Sequence, residues 1–313
     1  MDAIRIEGLT KAYGAVRALD GLDLTVAPGT VFGFLGPNGA GKTTTIRILT
    51  GLARGSGGRA WVAGAEVTAG GREVARRIGH LPEEPAFYSW MTAAELVDHV
   101  ARIFGLAATD RATRVGELLG LVGLAEVRDR RIGGFSRGMR QRLGLAQALV
   151  NRPEVLFLDE PTSALDPGGR KEVLELIGRL RGQCTVFMST HILADVERVC
   201  DTIGIVAKGK LVTQASRETL ASRYATPVFE LEAAPDQQAR LAQWAGTARS
   251  SSWVDTVSIE GSTARVVVHD PAAATRELLP SALGAGLVLT RYEMMQPSLE
   301  EVFLRLVSED GHR

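Results

Sequence analysis

The sequence predicts an α/β chain in two parts. The larger is a mostly parallel sheet covered by helices on both faces, with an antiparallel β subdomain and an inserted helical subdomain, and a smaller α+β module follows it. Three observations predict this. Short apolar runs such as "TVFGFLG", "EVLFLDE" and "CTVFMST" alternate with helical stretches, the order expected of parallel strands buried on both faces. A glycine-rich loop, "GPNGAGKTT", stands between the first of those runs and a helical stretch. After about Gln214 the pattern becomes strand, helix, two strands, helix and strand.

The 313 residues allow one large domain and one smaller one. Lys plus Arg and Asp plus Glu both number 36, so neither a basic nucleic-acid surface nor an acidic disordered tail is indicated. No nucleic-acid partner is expected, and the arginine cluster "RDRR" at 128–131 reads as solvated surface. Cys184 and Cys200 lie in apolar surroundings without Cys-x-x-Cys spacing and read as buried thiols of a reducing compartment. The start, "MDAIRIEGLT", lacks the features of a signal peptide, and nowhere do about 18 apolar residues run together. The chain is expected to be cytosolic, and any membrane role is expected to come through another polypeptide.

Taken in order, "IRIEGLTKAYG" and "ALDGLDLTVAPG" alternate apolar and polar residues between Gly, Asp and Pro, as antiparallel strands do. "TVFGFLG" reads as a buried strand and "KTTTIRILTGL" as the helix after the loop. Residues from Met91 to Arg130 read as helix throughout, as an insertion into the α/β core. Strands at "EVLFLDE" and "CTVFMST" are joined and followed by helices at "GGRKEVLELIGRLRG" and "ILADVERVC". In the second part "PVFELEA", "DQQARLAQWAG", "VDTVSIEG", "TARVVVHD", "AAATRELLPSAL" and "GLVLTRYEM" spell a ferredoxin-like β-α-β-β-α-β module. "PSLEEVFLRLV" is expected to close the chain as a helix. The domain boundaries read as 1–215, with the helical subdomain at about 91–145, and 220–313.

The loop from Gly36 to Thr43 fits G-x-x-x-x-G-K-[ST] after a buried strand and before a helix, the context a phosphate-binding P-loop requires. Gly36, Asn38, Gly39, Ala40, Gly41 and Thr44 would then surround phosphate oxygens with backbone N–H groups, aided by the helix dipole. Lys42 would reach the β- and γ-phosphates, and the Thr43 hydroxyl would ligate Mg²⁺. Such a site needs a second acid at the end of a neighbouring strand, and "VLFLDEP" provides one. Asp159 would hold Mg²⁺ through water and Glu160 would polarise the attacking water. An Asp-Glu pair there could otherwise cap a helix.

The stretch "GGFSRGMRQRLGLAQAL", ending about ten residues before Asp159, resembles the signature motif, usually written LSGGQ, of ATP-binding cassette (ABC) ATPases. The resemblance covers the first two thirds of the chain. Tyr13 in "KAYG" matches the aromatic that stacks on adenine, "SALD" from Ser163 to Asp166 matches the D-loop, and His191 in "STHIL" matches the switch histidine. It implies a head-to-tail dimer of two copies with two composite sites. Ser136, Arg137 and the Gly138 N–H would meet the γ-phosphate held by the partner copy, and His191 would contact the γ-phosphate in catalysis. Two positions depart from the pattern: the Q-loop glutamine is replaced by Glu83, a possible hard oxygen ligand for Mg²⁺, and the signature reads Phe-Ser-Arg-Gly-Met.

These departures, with the C-terminal extension and its "QPSLEEVFL" ending, look like the ATPase subunits of ABC-2 type exporters, including the daunorubicin-resistance kind. Such a subunit is peripheral on the inner face of the cell membrane through a separate permease. Phe87, Tyr88 and Trp90 are then candidate permease contacts, although aromatics here could equally be core. The competing class is a soluble ABC machine. Translation-type members carry two cassettes and repair-type members long coiled coils, and neither feature is seen in this sequence. A non-hydrolysing module is disfavoured by Glu160.

Overall fold

The computed structural model describes residues 2–67, 71–163, 165–223 and 228–295. The chain divides into two compact units, one running to Arg217 and the next beginning at Glu218.

The first unit opens with β1 (Ile4–Tyr13) and β2 (Val16–Val26), an antiparallel pair whose alternation turns Ile4, Ile6, Leu22 and Leu24 inward. Strand β3 (Val31–Leu35) is buried at every position and leads through the glycine-rich loop into α1 (Lys42–Leu49). Strands β4 (Gly57–Val62) and β5 (Ala65–Glu66) complete a four-stranded sheet ordered β2-β1-β4-β5. Helix α2 (Gly71–Arg77) and β6 (Ile78–Leu81) then precede a helical stretch of α3 (Ala93–Ile103), α4 (Ala108–Leu121) and α5 (Arg137–Ala148). After it come β7 (Val155–Asp159), α6 (Pro167–Arg179), β8 (Thr185–Thr190), α7 (Leu193–Val199), β9 (Thr202–Ala207) and β10 (Lys210–Ser216).

The second sheet of this unit runs β10-β9-β3-β8-β7-β6 and is parallel except for β10 at its edge. Its central strands β3, β7 and β8 expose nothing, which is why their sequences read as unbroken apolar runs. Phe187 on β8 lies 5.3 Å from Phe32, 5.2 Å from Phe34 and 5.7 Å from Phe157, ring centre to ring centre. Burying one such side chain stabilises by about 1.5–3 kcal/mol, so the three strands form a stiff base for whatever sits at their ends. The register brings those ends level: Leu35 faces Thr190 and Asp159 faces Ser189.

The stretch from Met91 is not helical throughout. Helices α3 and α4 stop before Gly105 and Gly123, which adopt φ of +78° and +65°, and 3₁₀ turns at Ala125–Val127 and Ile132–Gly134 follow. Helix α3 begins at a reciprocal cap in which Thr92 Oγ1 accepts from Glu95 N–H and Glu95 Oε2 accepts from Thr92 N–H. Both cysteines are buried, and burial pushes the Cys184 thiol up to about 11 and Cys200 further in the same direction.

Helix α8 (Arg217–Arg223) is followed by β11 (Val228–Ala233), α9 (Gln238–Ala248), β12 (Val254–Glu260), β13 (Thr263–Val268), α10 (Pro271–Gly284) and β14 (Leu289–Met295). The four strands form an antiparallel sheet ordered β12-β13-β11-β14, with the β-α-β-β-α-β sequence of elements. Its core holds Phe229, Leu231, Trp244, Trp253, Val266 and Leu278. The indole N–H groups of Trp244 and Trp253 donate to Ser281 Oγ and Glu277 Oε2, so neither is buried unpaired. The expected closing helix at "PSLEEVFLRLV" lies outside the described residues. Among the described residues no helix is long and apolar enough to cross a membrane.

Candidate active site

The loop after β3 is shaped by two glycines that admit no side chain. A Cβ on Gly36 would stand 2.4 Å from the Val206 carbonyl oxygen, and Gly41 has φ +104° with the Ala18 carbonyl oxygen 2.7 Å from where its Cβ would be. The loop is thus pressed against β9 and β2. Lys42, the first residue of α1, is buried, and its ammonium donates to the carbonyls of Gly36 at 2.8 Å and Pro37 at 3.2 Å. The start of α1 has no side-chain cap and no acid in its first turn, which leaves its N–H groups available to an anion.

The acids come from β7. Asp159 Oδ1 accepts from Ser189 Oγ at 2.6 Å and from Thr43 Oγ1 at 3.2 Å. Ser189 Oγ in turn accepts from the Glu160 N–H at 3.1 Å. Glu160 sits at φ +47°, in the left-handed region that side-chain-bearing residues seldom enter, at a cost of roughly 1–2 kcal/mol. Its carboxylate faces Lys42 Nζ at 3.2 Å through one oxygen and His191 Nδ1 at 2.9 Å through the other. The side chains of Lys42 and Glu160 are under a tenth exposed, so each neutralises the other in a poorly solvated place, whereas His191 is half open to solvent.

These groups face a cleft of about 410 Å³ lined by Tyr13, Val16, Arg17, Ala18, Asn38, Gly39, Gly41, Lys42, Thr43, Thr44, Glu83, Glu160 and His191. Tyr13 stands at its rim, half exposed, with Lys11 Nζ 4.6 Å from the ring centre. Gly36, the buried Ala40 and Asp159 are not among the lining residues; the Gly36 carbonyl accepts from Lys42, and Asp159 is joined to the cleft through Thr43. Ser136, Arg137, Gly138 and Asp166 do not line the cleft. Ser136 Oγ caps α5 by accepting from Met139 N–H at 3.2 Å, and Asp166 caps α6 by accepting from Gly169 N–H at 3.4 Å. Arg137 is 3.7 Å from Glu84, and nothing stands within 4 Å of where a Gly138 side chain would begin.

Two participants escape the sequence reading. Ser189 ties the Asp159 carboxylate to the Glu160 backbone, and its only signal is a hydroxyl residue at the end of an apolar strand. Arg17 reaches the cleft from β2 while paired with Asp20 at 2.6 Å. Among the described residues there is no cluster of three or more His, Cys, Asp or Glu side chains of the kind that cages a metal. The Thr43 hydroxyl and the Asp159 carboxylate, 3.2 Å apart, and Glu83 in the cleft lining are instead hard oxygen groups of the kind that suits Mg²⁺.

The glycine-rich loop at a strand end, the paired acids and the six-stranded, mostly parallel sheet define a P-loop nucleotide-hydrolysing protein. Residues 19–163 match the ABC transporter family, and residues 216–307 match the family described as the ATP-binding protein DrrA1-3-like C-terminal domain. The chain is 39% identical over 305 residues to the ABC transporter ATP-binding protein YxlF of Bacillus subtilis, covering 97% of this chain and 99% of that one. It is 37% identical to the daunorubicin resistance ATP-binding protein DrrA2 of Streptomyces coeruleorubidus, covering 99% and 96% respectively. A solved structure titled as the ATP-binding subunit of an ABC transporter superposes with a TM-score of 0.65 at 27% identity, over 71% of this chain and 93% of that chain. The chain belongs to the ABC transporter ATP-binding proteins, in the branch that carries the DrrA-like C-terminal domain, and it is an ATPase subunit of that family.

Proposed function

We propose that this subunit hydrolyses MgATP in a head-to-tail dimer with a second copy of itself and so drives a separate export-type membrane permease. The observation that carries the reading is an incomplete site. One chain gathers Tyr13, Lys42, Thr43, Glu83, Glu160 and His191 at one cleft, while Ser136, Arg137 and Gly138 do not line it and stand at the start of α5, where Ser136 and Arg137 are exposed. A second copy supplies them across the dimer, with Asp166 beside them.

In this reading the Tyr13 ring carries the adenine and the N–H groups of the loop and α1 hold the phosphates. Lys42 exchanges Glu160 for the β- and γ-phosphates. Glu160, released from Lys42 and still joined to His191, accepts the proton of the attacking water and orients it for in-line displacement. His191, bonded to Glu160 at 2.9 Å, adds a donor toward the γ-phosphate. Thr43, Asp159 and Glu83 would hold Mg²⁺, which would supply neutralisation of phosphate charge. Ser136 and the Gly138 N–H close over the partner's γ-phosphate, and hydrolysis reopens the dimer.

Residues 1–215 act as the nucleotide-binding domain, and 220–313 as the accessory domain. Tyr88 and Trp90, 60% and 65% exposed with ring centres 5.8 Å apart, are apolar surface suited to a permease segment, together with the half-buried Phe87. The subunit is then peripheral on the inner face of the membrane through its partner. The test is to co-express the tagged chain with the products of its neighbouring genes and extract with detergent. Recovery of a multi-span membrane protein together with Mg-dependent ATPase activity supports the reading. Active ATPase without a membrane partner replaces it with a soluble ABC machine.

A further inference from the structure

Asp195 is a carboxylate with no exposed surface that takes no part in the chemistry described above. It lies in the first turn of α7, four residues beyond His191. One oxygen accepts from Arg170 Nε at 2.5 Å, and the other accepts from Thr162 Oγ1, itself buried. Each partner belongs to a segment with its own task. Thr162 is two residues past Glu160 in the turn where Ser163 N–H donates to the Glu160 carbonyl at 3.1 Å and Leu165 N–H to that of Thr162 at 3.3 Å. Arg170 is in the first turn of α6, its N–H donating to the carbonyl of Asp166 at 2.9 Å.

We propose that Asp195 is a positioning residue that locks the His191 segment, the turn after Glu160 and the Asp166 end of α6 into one rigid unit. It rests on the roles given above to Glu160 and His191. An ionised carboxylate with no water access is tolerated only when its lone pairs are taken, and here a guanidinium and a hydroxyl take them from two different segments. Those bonds hold only if the three segments keep their spacing. The Thr190 side chain adds a local brace, its Oγ1 accepting from Ile192 N–H at 2.9 Å between His191 and α7. A shift of α7 would therefore move His191 relative to Glu160, and a shift of α6 would move Asp166. Misplacement of a reacting group by about 1 Å can cost about a hundredfold in rate, so the lock acts on turnover rather than on nucleotide affinity.

The test uses the full chain with Asp195→Asn and, separately, Thr162→Val, which removes one of the two bonds and leaves the ion pair. ATP turnover, nucleotide binding and thermal midpoint are measured for each, beside Glu160→Gln. The expected result is a fall in kcat of about tenfold or more for Asp195→Asn and a smaller fall for Thr162→Val, with KM and nucleotide Kd within about threefold of the parent. Because the lock is shared, Asp195→Asn combined with Thr162→Val should lose little more than Asp195→Asn alone. The proposal is overturned if Thr162→Val and any folded Asp195→Asn protein keep the parental kcat. Equal losses in binding and turnover that follow a lowered thermal midpoint overturn it too, since a purely structural role predicts them. If Glu160→Gln keeps turning over ATP, it is the assignment of the water-orienting residue that fails instead.

Discussion

Glu160→Gln is the substitution on which the chemistry can be judged, because it removes a charge and keeps a shape. The carboxylate makes two contacts, Lys42 at 3.2 Å and His191 Nδ1 at 2.9 Å, both at a place with little solvent. An amide can keep one bond to His191, and Lys42 retains the carbonyls of Gly36 and Pro37, so the fold is expected to survive. What is lost, under the proposed role, is the base. A general base contributes about 10²–10⁴-fold, equivalent to about 3–5 kcal/mol of transition-state stabilisation. Binding moves the other way: phosphate no longer competes with a carboxylate for Lys42, nor meets its charge, so the nucleotide Kd should stay level or fall. Lys42→Ala is the opposite control, losing tight binding altogether. Phosphate release gives kcat, fluorescent-nucleotide titration gives Kd, and size-exclusion chromatography with ATP reports the closed dimer. Parental turnover in Glu160→Gln would refute the reasoning at its centre.

Gly36→Ala forces a methyl to 2.4 Å from the Val206 carbonyl oxygen, so it should destabilise the chain by about 1–3 kcal/mol in urea unfolding and weaken nucleotide binding. Burial holds His80 on β6 below its usual imidazole range, Arg47 adding to the shift and the Asp159 charge opposing it. Between that lowered value and the ordinary 6.5 the unfolded chain binds a proton that the folded chain does not, so stability is full above 6.5 and declines as the pH falls through the folded value. The thermal midpoint should therefore drop on acidification below 6.5, and His80→Gln should flatten that slope. Tyr88→Ala with Trp90→Ala should sharply reduce recovery of a membrane partner while changing stability by no more than about 0.5 kcal/mol, since both side chains are mostly exposed.

The strands under the site are legible because each is buried on both faces, and a run such as "VLFLD" has no other economical place. The loop is legible for a related reason: Gly36 and Gly41 meet backbone oxygens that exclude a side chain, so the motif states its own geometry. Less is legible where short elements depend on partners. Strands β5 and β6, of two and four residues, carry too little pattern to be read, and β6 is defined by its pairing with β7. The breaks after α3 and α4 are written in Gly105 and Gly123, yet apolar periodicity on either side masks them. The bonds made by Ser189 and Asp195 are invisible in sequence because their partners lie 29 and 30 residues away in one case and 25 and 33 in the other. A buried polar residue announces that it needs a partner, not which one.

The site of a single chain leaves few of its charged groups waiting. Lys42 holds Glu160, Glu160 holds His191, Thr43 and Ser189 hold Asp159, and Ser136 and Asp166 hold helix starts. This follows from physical necessity, since buried charges without partners would cost several kcal/mol each and the chain must fold without nucleotide. It also sets how nucleotide can act. In the proposed mechanism binding does not create a polar site from an apolar one; it exchanges partners, with phosphate taking the place of Glu160 at Lys42. Glu160 would thereby be freed only when the group it is to act upon has arrived. Helix caps are suited to the same logic: Ser136 loses little by sharing a hydrogen bond already made to Met139, and the adjoining Gly138 offers no side chain to obstruct a phosphate. A site built of mutually satisfied pairs is stable while open and becomes competent only on exchange, which is what a conformational cycle driven by ATP requires.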